Sequence, residues 1–422
     1  RIIRNINLGR EIDRKDNPGK RLGNMAKIAL GQSKMVRRPI AGIMHIFVYI
    51  GFIIINIEVL EIIIDGLFGT HRVLSFLGGF YNFLIGSFEI LALLVLVGVI
   101  VFWFRRNIVH VRRFLKRELK GWPKDDANII LYFEMILMVL FLVMNAADYQ
   151  LQLNAAAGYA HGNSIVGAFP VSSFISPLFD GMSNGTLIVL ERTAWWLHIL
   201  GILFFLNYLY YSKHLHILLA FPNTYFAKLE PLGKFDNLQA VTDEVKLMMD
   251  PDADPYATPE EPEGEEEMPG KFGASDIMDL NRVQLLNAYT CTECGRCTDV
   301  CPANNTGKLL SPRKIMMDTR DRLEEVGENI NKNGKFEDDG KRLIDDYILR
   351  EEIWACTTCN ACTEVCPVNI DPLSIIVDIR RFLVMEESAA PIELNNMMTN
   401  VENNGAPWPY NQMDRLNWAD EK

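Results

Sequence analysis

Apolar residues crowd into positions 40–220, in runs such as IGFIIINIEVLEIII and ILALLVLVGVIVFWF, whereas 251–269 reads PDADPYATPEEPEGEEEMP and is mostly acid and proline. Four segments, roughly 40–64, 82–104, 128–147 and 192–219, supply the run of about 20 apolar helical residues that a hydrocarbon core about 30 Å thick requires. They predict four membrane-spanning helices, and their flanks orient them. The stretch RRNIVHVRRFLKRELK after the second span carries seven Lys/Arg against one Glu, positions 148–190 carry none, and 65–81 carries only Arg72. Basic loops stay in the cytoplasm. Both ends of the bundle, with everything after Lys213, are therefore expected on the cytoplasmic side of the inner membrane. The basic stretch before the first span is longer than the basic region of a signal peptide, so no cleaved leader is expected.

Polar residues inside such helices are costly, which makes each a candidate for function. His45 lies near the cytoplasmic end of the first span, and His198, His214 and His216 lie on the last. His198 and His216 are eighteen residues apart, which on an unbroken helix is five turns and about 27 Å along one face, with His214 displaced by about 160°. This pattern predicts one helix giving an axial ligand to each of two haems. His45 lies at the depth of His216 and pairs with it for the cytoplasmic-side haem. At the depth of His198 the first span offers Ile55, Asn56 and Glu58 and the second Glu89, while His71 and His161 stand in outer loops. Two readings remain open there: a second haem, with His71 the nearer candidate ligand, or a proton-exchanging quinone site of His198, Glu58 and Glu89.

Composition changes the picture in the second half. The net charge is −11 although residues 1–40 hold eleven Lys/Arg against three acids. The excess acid lies away from any basic face, so nucleic acid is not an expected partner. All eight cysteines fall within 291–301 and 356–366, which excludes a disulfide scaffold and indicates a metal site. CTECGRCTDVCP at 291–302 and CTTCNACTEVCP at 356–367 are identical at eight of twelve positions. Each is C-x2-C-x2-C-x3-C-P, the spacing in which three thiolates bind one [4Fe–4S] cube and the fourth crosses to the other. Cys291, Cys294, Cys297 and Cys366 are thus assigned to one cluster, and Cys356, Cys359, Cys362 and Cys301 to the second. Zinc also takes four thiolates, but a triple-then-single run is not its usual spacing. Ser311-Pro312 and Asp371-Pro372 read as N-caps with proline at the first helical position. The cluster domain is therefore expected to be helical. No nucleotide, flavin or Ser/His/Asp motif accompanies it.

The expected fold is all-α: a basic segment 1–39, a four-helix transmembrane domain 40–222, an acidic linker 223–275, a dicluster domain 276–385 and a tail 386–422. With AGIMHIFVYIGF, YSKHLHI and the doubled cysteine motif, the sequence resembles the membrane-bound, heterodisulfide-reductase-like iron–sulfur oxidoreductases. In these a b-type cytochrome domain similar to the gamma subunit of respiratory nitrate reductase is fused to a helical dicluster ferredoxin. The resemblance covers about 40–222 and 276–385. It implies haem b held by His45, His198 and His216, quinone chemistry in the membrane, and a cytoplasmic electron wire to a catalytic partner. The fourth histidine of the two-haem pattern would fall near Ile55 and is missing. The resemblance also implies that a cysteine-rich CCG module or a flavoprotein comes from a separate cytoplasmic subunit. The resulting expectation is a respiratory electron-transfer subunit of a quinone-linked oxidoreductase. The alternative is a non-catalytic assembly or docking subunit with structural clusters.

Overall fold

The computed structural model describes residues 1–159, 165–251 and 271–420. His161 and most of the acidic stretch 251–269 lie outside the described residues. Among the described residues the chain is all-α, with helices and turns and no strand. It divides into two units: Gly23–Pro222 with Thr292–Cys294, and Arg1–Leu22 with Asn223–Cys291 and Gly295–Lys422.

In the first unit α1 (Pro39–Phe68), α2 (Gly79–Asn107), α3 (Trp122–Leu153) and α4 (Asn184–Tyr208) are long and apolar enough to cross a membrane. They pack in chain order, α1 on α2, α2 on α3 and α3 on α4. Tyr81, Ile85, Phe88 and Val95 of α2 meet Phe141 of α3 and Trp195 and Ile199 of α4 in the core. The outward faces are apolar as well, with Ile53, Ile57 and Leu60 of α1, Phe83 and Ile90 of α2, and Leu200 and Phe204 of α4 exposed. A helix apolar on both faces suits a lipid surround, where its backbone bonds are satisfied internally.

The last span departs from the sequence-based expectation at both ends. It begins at Asn184 because the Ser183 side chain caps it, accepting from Thr186 N at 3.2 Å. It stops at Tyr208, Ser212 is extended (φ −107°, ψ 151°), and α5 (His216–Tyr225) starts a new helix. The five-turn phase between His198 and His216 is therefore corrected, because no single helix joins them. Residues 166–172, between α3 and α4, are stitched to the helices. Gln152 makes two bonds to the Val166 backbone (2.8 and 3.1 Å), and Asn82 accepts from Gly167 N at 2.9 Å.

The second unit is built on α6 (Arg282–Thr290), α7 (Arg296–Val300), α8 (Pro312–Asn333), α9 (Ala361–Val365) and α10 (Pro372–Met385). Both expected caps form: Ser311 accepts from Lys314 N at 3.4 Å, and Asp371 accepts from Leu373 N and Ser374 N at 3.1 and 3.2 Å. The N-terminal helix Ile2–Ile6 packs on α6 and α8. Asn5 is fully buried and donates to Tyr289 OH at 2.9 Å. It lies so close to α8 that a Cβ on Gly327 would come within 2.3 Å of its Nδ2. Residues 1–22 of the basic stretch group with this second unit.

Candidate functional site

The two cysteine loops share one backbone recipe. Glu293 and Gly295 in the first (φ 56° and 72°) and Thr358 and Asn360 in the second (φ 55° and 57°) take left-handed conformations at equivalent positions. Glycine and asparagine tolerate that region best, and each loop then enters a five-residue helix, α7 or α9. The turns aim amides at sulfur: Thr358 N donates to Cys356 Sγ at 3.4 Å and Ile370 N to Cys366 Sγ at 3.3 Å. Such bonds stabilise thiolates and tune a bound cluster.

Cys301 of the first motif lines the same cavity as Cys356, Cys359 and Cys362 of the second, walled by Pro302, Leu310, Pro312, Leu373 and Ile376. Burial pushes the Cys362 thiol up to about 12 and the Cys356 thiol upward. Four sulfurs in an apolar pocket favour a cationic metal centre that compensates their thiolates, so the donor set fits an iron–sulfur cluster. Arg380 stands beside it, its Nη2 donating to the carbonyls of Ile353 (2.7 Å) and Cys356 (2.5 Å) while it stacks on Trp354.

In the four-helix unit the rings of His45 and His216 are 6.4 Å apart between centroids. Two imidazoles bound to opposite faces of one iron by bonds of about 2 Å place their centroids about 6.3 Å apart. The separation of this pair matches that of a bis-histidine haem. His216 Nδ1 lies 3.1 Å from Lys213 O, which leaves Nε2 for a metal. His214 Nε2 lies 3.6 Å from a carboxylate oxygen of Glu134, and its ring stands edge-on to His216 at 5.4 Å between centroids. His198 uses the same device as His216, Nδ1 lying 3.0 Å from Leu137 O while its ring packs near Phe141.

The remaining candidates separate. Glu89 is fully buried, and its Oε2 accepts from Val171 N and Ser172 N at 2.9 and 3.1 Å, which ties the 166–172 segment to α2. Glu58 faces a cavity of about 40 Å³ whose walls include His71, Arg72, Asp148 and Glu191. Neither Glu89 nor His198 is among its walls. His71 Nε2 lies 3.0 Å from Asp148 Oδ1, so that nitrogen is engaged by a carboxylate. Sequence reasoning missed Arg72, Asp148 and Glu61 as members of one network. The available signal was Arg72 itself, the single cation within 65–81, facing acids at the ends of three spans.

Residues 290–370 match the family described as a 4Fe-4S dicluster domain. The cysteine loops belong to an iron–sulfur module. The chain is 32% identical over 420 residues to the probable iron-sulfur-binding oxidoreductase FadF of Bacillus subtilis, covering 93% of this chain and 54% of that protein. It is 28% identical over 439 residues to the EtfAB:quinone oxidoreductase of Syntrophomonas wolfei, covering 98% and 56%. A shorter match, 28% over 157 residues and 36% of this chain, joins it to a component of the dihydromethanophenazine:CoB–CoM heterodisulfide reductase of Methanosarcina mazei, 37% of which is covered. The chain spans about half the length of the first two relatives. No solved structure matches it. One relative is named an iron–sulfur-binding oxidoreductase, another a quinone oxidoreductase and the third a reductase subunit, and this chain carries a 4Fe-4S dicluster domain over residues 290–370.

Proposed function

We propose that the chain is a membrane-bound respiratory electron-transfer subunit linking the quinone pool to a cytoplasmic redox partner through haem b and two [4Fe–4S] clusters. The observation that carries this reading beyond a tethered ferredoxin is the His45–His216 pair, at a haem-compatible 6.4 Å in the four-helix unit. In this reading His45 and His216 hold one haem, and His198, its Nδ1 anchored on a carbonyl, is the candidate ligand of a second. Cys291, Cys294, Cys297 and Cys366 hold one cluster, and Cys301, Cys356, Cys359 and Cys362 the other. Haem and clusters supply one-electron transfer. The protein supplies burial, amide donors and position. Of the carboxylates read from the sequence, Glu58 is the one we assign to an outer-side quinone or proton-exchange region, since neither Glu89 nor His198 lines its cavity. The relative whose name pairs EtfAB with quinone supports a quinone substrate, and the soluble partner proposed here is a separate flavoprotein or CCG-type protein.

The test is a reduced-minus-oxidised spectrum of the purified chain with quinol as the only reductant. Haem and cluster signals that respond to quinol are expected. Clusters that dithionite reduces but quinol does not would overturn the reading in favour of a docking subunit with structural clusters.

A further inference from the structure

Among the described residues, five carboxylates line the cavity beside the 69–72 turn, and four of them are held by protein donors. Glu61 accepts from Leu74 N and Tyr81 OH, each at 2.9 Å. Asp65 accepts from Thr70 Oγ1 at 2.6 Å and from the amides of Arg72 and Val73 at 2.7 and 3.1 Å. Asp148 is bonded by Arg72 Nε at 2.6 Å and lies 3.0 Å from His71 Nε2, and Glu191 accepts from Tyr159 OH at 2.7 Å. Glu58 is the exception. It is 3% exposed, and among the described residues its Oε2 has no hydrogen-bond partner. Arg72, a cation lining the same cavity, has its remaining nitrogens on Tyr81 OH (3.1 Å) and Asn145 Oδ1 (3.0 Å).

A buried carboxyl oxygen without a partner is costly. The cavity supplies the remedy, because about 40 Å³ with polar walls exceeds the roughly 10–15 Å³ that one water needs. At its rim the His71 side chain is 16% exposed, whereas Asp148 behind it is 4% exposed. We propose that Glu58 is the proton-exchanging carboxyl of a hydrated pocket, and that the His71–Asp148 pair passes its protons to and from the aqueous phase beside the 69–72 turn.

This rests on the quinone reading above and adds a proton path to it. When a hydroquinone becomes a quinone, two O–H bonds break, two electrons pass to the redox centres and two protons must leave. Glu58 takes each proton in turn, cavity water carries it to His71, and Asp148 steadies the imidazolium until the proton reaches bulk water. Reduction of a quinone runs the same path backwards. Arg72 is a positioning residue that holds Asp148.

The test uses the full chain in liposomes, with quinol-driven cluster reduction followed optically and proton release followed with a pH-sensitive dye. If quinol does not reduce the wild-type clusters, the quinone reading itself falls. If it does, Glu58→Gln is expected to slow both signals at least tenfold with unchanged iron content and unchanged reduction by dithionite. Glu58→Asp is expected to keep activity with a larger solvent deuterium effect, which separates proton transfer from misfolding. His71→Ala is expected to slow proton release and to be restored by imidazole in the medium. Wild-type rates in Glu58→Gln, or a His71→Ala defect that imidazole does not relieve, would overturn the proposal.

Discussion

Single residues here combine buried charge with ligand geometry. The Arg322 side chain is fully buried and pairs with Asp276 at 2.7 Å and Asp339 at 2.6 Å. Removing one member of a buried ion network leaves the others uncompensated, at a cost of about 3–5 kcal/mol. Arg322→Met is expected to lose about that much in denaturant unfolding of the cluster-loaded protein. The Arg322 guanidinium also holds the Asp339 carboxyl below the usual carboxylate range. A depressed acid contributes stability that is present above its unfolded pKa and is lost as pH falls through its folded pKa. Wild-type stability should therefore fall more steeply than that of Arg322→Met as pH drops below about 4, the ordinary carboxylate range. At the histidines, His45→Ala and His216→Ala are expected to lose a haem by pyridine haemochrome assay. His214→Ala should keep it, since in this reading the His45–His216 pair supplies both axial ligands.

At the scale of elements, the short helices α7 and α9 decide how the two motifs cooperate. They pack on each other, and Cys301, just after α7, comes to the cavity of the second motif. Cys301→Ala is therefore expected to damage the cluster built on Cys356, Cys359 and Cys362, and Cys366→Ala the one built on Cys291, Cys294 and Cys297. Paramagnetic resonance of each reduced variant, assigned against variants in the triple runs, distinguishes this from losses confined to one motif. Gly327 offers a second check on packing. A valine there would strike Asn5 of the N-terminal helix, so Gly327→Val should release that helix, with faster proteolysis near residue 10 than in the parent.

For the whole molecule the membrane orientation is the consequential property, because it decides on which side protons and electrons exchange. Cysteine placed at Leu77, in the turn between α1 and α2, is expected to react with an impermeant thiol reagent added outside intact cells. Cysteine at Arg112, between α2 and α3, should react only after permeabilisation. The opposite pattern would reverse the orientation that the basic loops imply.

Local rules were enough for much of this protein. Span length and apolar content gave four helices, cysteine spacing gave the dicluster module, and the Ser311-Pro312 and Asp371-Pro372 pairs marked helix starts that form as read. Each depends on residues within a few positions of one another, so the chain carries the information directly. What depends on distant neighbours was not legible. The break at Ser212 ends the helix assumed between His198 and His216, although their spacing is that of five turns. The commitment of Glu89 to the 166–172 segment, the burial of Asn5 against Gly327, and the gathering of Arg72, His71 and Asp148 around the Glu58 cavity each join segments tens of residues or more apart. A buried polar group takes whatever partner the fold brings within about 3 Å, and that choice is made only when the helices pack.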